Sequence, residues 1–143
     1  MKKHTLKIFV AGLFLLGLGL AGIGTDGKPR KMQNLASGLW GGQHITINIE
    51  NGSATVDYDC ARGTISGPFK FDSKGKFSFT GKHVREHGGP VRSDESQQGQ
   101  PARYTGWTDG KKMTLIVTLA DSNEEVGKFE LEHGKAGRVF KCK

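Results

Sequence analysis

The stretch from Gly38 to Cys60 reads GLWGGQHITINIENGSATVDYDC, and its periodicity decides the fold. Ile45, Ile47 and Ile49 alternate with His44, Thr46, Asn48 and Glu50. Ala54, Val56, Tyr58 and Cys60 alternate with Thr55, Asp57 and Asp59. A period of two predicts two strands, each with one apolar face. Asn51-Gly52 sits between them, and both residues accept the positive φ of a tight hairpin turn.

The same pattern recurs downstream. Thr64 to Phe71 reads as a third strand, where Pro68 implies a kink or an edge. Asp72-Ser73-Lys74-Gly75 turns the chain, and Phe77 and Phe79 begin a fourth strand running towards His83. Arg103 to Thr108 is the fifth strand, followed by Asp109-Gly110 as a second tight turn. Met113 to Leu119 is the sixth, Lys128 to Glu132 the seventh and Arg138 to Cys142 the eighth. The fold class expected is all-β: an up-and-down antiparallel eight-stranded barrel whose closure removes exposed edges. In such a meander strand one lies between strands two and eight. Cys60 and Cys142, which end those two, would then meet near Trp40, at the beginning of strand one, and form one disulfide.

The first residues carry a different signal. Lys2, Lys3 and Lys7 precede or border an uncharged run from Ile8 to Gly24, and Gly19-Leu20-Ala21 supplies small residues for cleavage. Residues 1–21 therefore read as a secretory signal peptide, 22–37 as a flexible leader and 38–143 as the β-barrel domain. The alternative is a retained anchor, for which the run is barely long enough to span about 30 Å of hydrocarbon. Export predicts a periplasmic or secreted protein and an oxidising surrounding for the cysteines. Cleavage removes three lysines and lowers the formal charge from +7 to +4. That mild balance argues against a nucleic-acid partner, and loss of the signal leaves no membrane segment, so a monomer without cofactor is expected.

Candidate chemistry centres on His83-Val84-Arg85-Glu86-His87. On a strand His83, Arg85 and His87 share a face, Glu86 takes the other, and His44 could join from a neighbouring strand. Imidazoles with a carboxylate suit zinc, nickel or copper, or acid–base work. Residues four apart on a strand lie about 13 Å from each other, so His83 and His87 share no ion unless the chain bends, and no metal site is assigned. Arg85, Glu86, Gly88, Gly89, Pro90 and Arg92 begin the one long loop, His87 to Ala102. Paired glycines bracketed by arginines suit recognition of a carboxylate, a phosphate or a protein, although a salt-bridged structural lid would use the same residues. Asp57 and Asp59, about 7 Å apart on one strand face, read as surface aspartates rather than an acid–base pair. There is no nucleophile elbow, no phosphate-cradling glycine motif and no Cys-x-x-Cys.

Gly38-Leu39-Trp40 at the start of the first strand, with Arg138 on the last, resembles the calycin pattern of lipocalins, avidins and small bacterial protease inhibitors. The resemblance implies a barrel plugged by Trp40, with Arg138 packed over the indole. Tyr58-Asp59-Cys60 with a terminal cysteine is also similar to small periplasmic lysozyme-inhibitor barrels. WGGQHI (40–45), YDCARGTI (58–65) and REHGGPVR (85–92) resemble a family of uncharacterised exported bacterial proteins, which implies export and supplies no activity. The expectation is an exported, non-enzymatic binding or inhibitor-type barrel that engages an unknown protein or small anionic ligand. It would act through the 85–102 loop with His44. The alternatives are a metal- or carboxylate-dependent enzyme using His44, His83, Glu86 and His87, and a small-ligand carrier of calycin type. Tyr58, Phe69, Phe71, Phe77, Phe79, Met113, Leu115, Phe129, Leu131 and Phe140 are expected to fill the interior, which favours a binding surface over a ligand cup.

Overall fold

The structure, a computed structural model, describes residues 31–89 and 99–142. The expected signal peptide, most of the leader, and Pro90 and Arg92 lie outside the described residues. The described chain forms strands only: β1 (Gln33–Asn34), β2 (Gly38–Gly42), β3 (Ile45–Glu50), β4 (Ser53–Tyr58), β5 (Ala61–Ser66), β6 (Lys70–Phe71), β7 (Lys76–Arg85), β8 (Gln100–Thr108), β9 (Lys112–Leu119) and β10 (Glu125–His133). Eight of them close an antiparallel barrel in the order β10-β2-β3-β4-β5-β7-β8-β9, while β1 and β6 pair separately.

The opening hairpin is as its alternation dictates. Ile45, Ile47, Ile49, Ala54, Val56 and Tyr58 all face inward and are buried. Asn51 and Gly52 both take positive φ, 50° and 79°, the geometry of a turn whose twist matches that of its strands. Trp40, Ile45, Val56, Tyr104, Leu115 and Val117 are almost wholly inaccessible, and Phe77 stacks on Phe79 at 4.9 Å. The interior is therefore packed with side chains. Outward positions such as Thr55, Asp57, Arg62, Thr64, Lys76, Ser78 and Lys82 are exposed and polar, the opposite of a lipid-facing apolar band.

Eight barrel strands are present, but three of the expected strands differ. The expected first strand, Gly38 onward, breaks at Gln43-His44, where His44 has φ +64°; its two halves are β2 and β3, and Gly42 pairs with Ile45. The expected eighth strand, Arg138 to Cys142, lies outside the barrel. β10 closes the sheet instead, pairing Leu131, Glu132 and His133 with Gly42, Gly41 and Trp40. The expected third strand also splits, at the cis peptide Gly67-Pro68, into β5 and β6. Because β6 pairs with β1 and Leu35 is buried, the last residues of the expected leader belong to the packed fold.

Released from the sheet, residues 134–142 form a strap over the outside of β2. Gly134 N–H donates to Leu39 O at 2.7 Å, and Arg138 N–H and His44 N–H exchange bonds with Gly42 O and Arg138 O at 2.8 Å each. Gly41 lies directly beneath: a Cβ there would sit 2.3 Å from Gly137 N and 2.4 Å from Lys135 O. Only a residue without a side chain admits so close a backbone. The strap ends at the Cys60–Cys142 disulfide, which closes a span of 82 residues with the Cα atoms 4.9 Å apart. The bond joins Cys60 and Cys142 as expected, but it fastens the strap to the β4–β5 turn instead of lying beside Trp40. Phe140, expected inside, is on the strap and 57 % exposed.

Candidate functional site

The connectivity gives the barrel two unlike ends. One carries the turns at Asn51-Gly52, residues 72–75, Asp109-Gly110 and Gly134. The other carries the turns at residues 43–44 and 59–60, the disulfide, and the long connection from β7 to β8. Trp40 belongs with the first end. Its indole N–H donates to Ala36 O at 3.0 Å and its ring meets that of His133 at 4.9 Å. Arg138 is held through its backbone at Gly42 and His44, so the ring against the indole is an imidazole and not the guanidinium that the calycin resemblance implies.

At the disulfide end the inward faces of β4, β5, β7 and β10 surround a recess of about 320 Å3. Its floor and apolar wall are Tyr58, Ala61, Val126 and Phe129. His83 stands beside Tyr58, with rings 5.2 Å apart edge to face, and Phe129 lies 5.7 Å from the same phenol. His44, Asp59, Cys60, Arg85 and Glu86 complete the lining. Strand alternation explains the gathering: Arg85 pairs with Ala61, His83 with Gly63 two residues deeper, and Tyr58 with Ala61 across the hairpin.

Two carboxylates at this end are firmly paired. Asp59 Oδ1 accepts the Phe140 N–H at 2.7 Å, and Oδ2 lies 2.5 Å from His44 Nδ1. The Phe140 amide acts most strongly to hold the Asp59 carboxyl below the usual range; desolvation opposes it, and His44 and Lys141 add to the lowering. Glu86 meets the Lys141 ammonium at 3.2 Å and, more distantly, Arg62 at 3.9 Å. Lys141 also reaches Asp57 at 2.9 Å and the Ala61 carbonyl at 3.1 Å. Burial acts to lower the Lys141 ammonium, but its bonds to Asp57 and Glu86 outweigh that and raise it.

The buried groups are different. His83 is 6 % exposed and among the described residues its Nδ1 has no hydrogen-bond partner; Tyr58 Oη likewise makes no bond of normal geometry. Desolvation, helped by the nearby Arg85 charge, lowers the His83 imidazole below its ordinary value, which favours the neutral ring. Burial raises both Tyr58 and Tyr104, and the Tyr104 hydroxyl donates to Lys82 O at 2.9 Å.

A second, larger groove of about 800 Å3 runs along the barrel wall where β10 diverges from β2. It is bounded by the strap, by Trp107 and Lys112, and by Lys128 to Glu132, and it shares His44 and Phe129 with the recess. The Trp107 indole N–H is committed to Lys74 O at 2.9 Å.

Of the residues singled out in the sequence, His44, His83, Arg85 and Glu86 come together. His87, whose Nδ1 lies 3.2 Å from Gly88 O, does not line the recess, and Gly88 and Gly89 are exposed beyond it. Among the described residues no three His, Cys, Asp or Glu side chains are arranged to hold a metal ion. Sequence reasoning missed Asp59 as the partner of His44, Lys141 as the hub of the rim, and Val126 and Phe129 as the wall. No protein-family model, curated protein or solved structure matches this chain.

Proposed function

We propose that this chain is an exported, non-enzymatic binding protein of calycin type whose site is the recess at the disulfide end, with His44, Arg85 and Glu86 on its rim. The observation that carries the reading is the buried His83 imidazole, which lines a recess and whose Nδ1 lacks a hydrogen-bond partner among the described residues. A polar atom in that position has given up water, a loss usually repaired by protein, ordered solvent or ligand. An apolar wall with a few convergent polar groups is the common form of a small-molecule site. The filled interior argues against the deep cup of a calycin carrier and favours binding at the mouth. The test is amide chemical-shift mapping with a mixture of charged and neutral small fragments. Shifts should cluster at His44, Tyr58, His83–Glu86 and Phe129; shifts confined to other surfaces would reject the site.

A second reading rests on the His44–Asp59 pair. A carboxylate bonded to Nδ1 fixes the tautomer that leaves Nε2 as a base, the arrangement used to activate water or a nucleophile. An ester or phosphoester turnover abolished by His44→Gln would favour it; turnover unchanged in that variant would dismiss it.

A further inference from the structure

Resting on the recess as the binding site, we infer that its ligand is a small monocarboxylate with an apolar tail. The carboxylate pairs with the Arg85 guanidinium and the tail lies against Phe129 and Val126.

The inference follows from which charges at the rim already have partners. Asp59 is occupied by His44 and the Phe140 amide. Glu86 is occupied by Lys141 and Arg62. Arg85 also lines the recess, and among the described residues it forms no ion pair or hydrogen bond. It follows His83 along the inward face of β7, so its guanidinium stands above the buried imidazole. A planar fork of donors is matched by a carboxylate, which it can bind through two parallel bonds. Below it, a neutral imidazole can donate a further bond, while Phe129 and Val126 offer apolar surface that water does not satisfy. One cation uncommitted among the described residues of the lining fits one negative charge. A second carboxylate on the ligand would face Glu86 and Asp59, which line the same recess. A neutral alcohol of the same length would keep the tail contacts and forgo the guanidinium.

The experiment uses the purified chain with hexanoate, hexan-1-ol and adipate as probes, combining amide shift mapping with calorimetric titration. Hexanoate should shift recess amides and bind most tightly of the three, and Arg85→Gln should weaken it roughly tenfold to a hundredfold. Arg62→Gln, which alters a rim cation outside the recess, should change the affinity by no more than about twofold. Circular dichroism checks that each variant is folded. Hexan-1-ol binding in the recess as tightly as hexanoate, or hexanoate binding unaltered by Arg85→Gln, would overturn the ligand class while leaving the recess as a site. Hexanoate shifting no recess amide would overturn the ligand class as well, and absence of shifts there with every fragment would remove the site itself.

Discussion

One carboxylate, Asp59, joins three separate parts of the chain: its own β4–β5 turn, the His44 imidazole 2.5 Å away on the β2–β3 turn, and the Phe140 amide of the strap at 2.7 Å. The folded state holds this carboxyl below its unfolded value of about 3.8, so the stability it contributes is fully present above that value. It is lost as pH falls through the folded value. Asp59→Asn should lower Tm by several degrees at neutral pH and remove part of the acid limb. Calorimetric scans of both proteins from neutrality to below pH about 3 would show it; parallel acid limbs would contradict it.

The disulfide secures the strap, while β10 and β2 close the barrel independently of it. Replacing Cys60 and Cys142 by serine should lower unfolding free energy by up to about 4–5 kcal/mol, the chain-entropy value for a span of 82 residues. The far-UV spectrum of the strands should survive. Urea titration followed by circular dichroism reads both quantities, and loss of the strand signal at zero urea would contradict the independent closure.

Gly41→Ala probes the strap from beneath. The added Cβ meets backbone atoms of Lys135 and Gly137 that cannot rotate away. Destabilisation of about 1–3 kcal/mol is expected, as for other overpacked sites. Hydrogen exchange should locate the loss at the Arg138 and His44 amides; unchanged protection there would show that the strap does not depend on this contact.

His83 supplies a second pH dependence with its own window. Its folded value lies below the ordinary 6.5, first through burial and then through Arg85. Between the folded and unfolded values the unfolded chain binds more protons, so stability rises with pH across that interval and declines as pH drops below about 6.5. His83→Phe should flatten this slope. Urea midpoints at pH about 7.5 and about 5.5 provide the comparison, and an equal slope in both proteins would refute it.

The class of fold was legible because most strands alternate strictly and most turns carry their own chemistry at Asn51-Gly52, residues 72–75 and Asp109-Gly110. The misassignment of the first and eighth strands has physical reasons. Trp40 and Gly42 face inward at even positions and Ile45 at an odd one, a slip in phase that marks the turn at Gln43-His44. Glycine hides such a slip because it shows no side-chain preference. Arg138 to Cys142 alternates like a strand, yet β10 has already taken the edge of β2, so the segment crosses outside. The site was half legible. His83, Arg85 and Glu86 follow one another in sequence, and their register on β7 keeps them together. Asp59, Lys141 and Phe129 reach the same place through a turn, the strap and a distant strand, and no local pattern reports that meeting.

The first and last of the described residues lie at opposite poles. Gln33 lies where β1 pairs with β6, at the pole of the Asn51-Gly52 turn, whereas Cys142 is fastened beside the recess. A fluorescent reporter or affinity tag joined just after Cys142 would therefore crowd the mouth. The same cargo placed ahead of Gln33 would leave it open, and immobilisation through that terminus would point the mouth away from the surface.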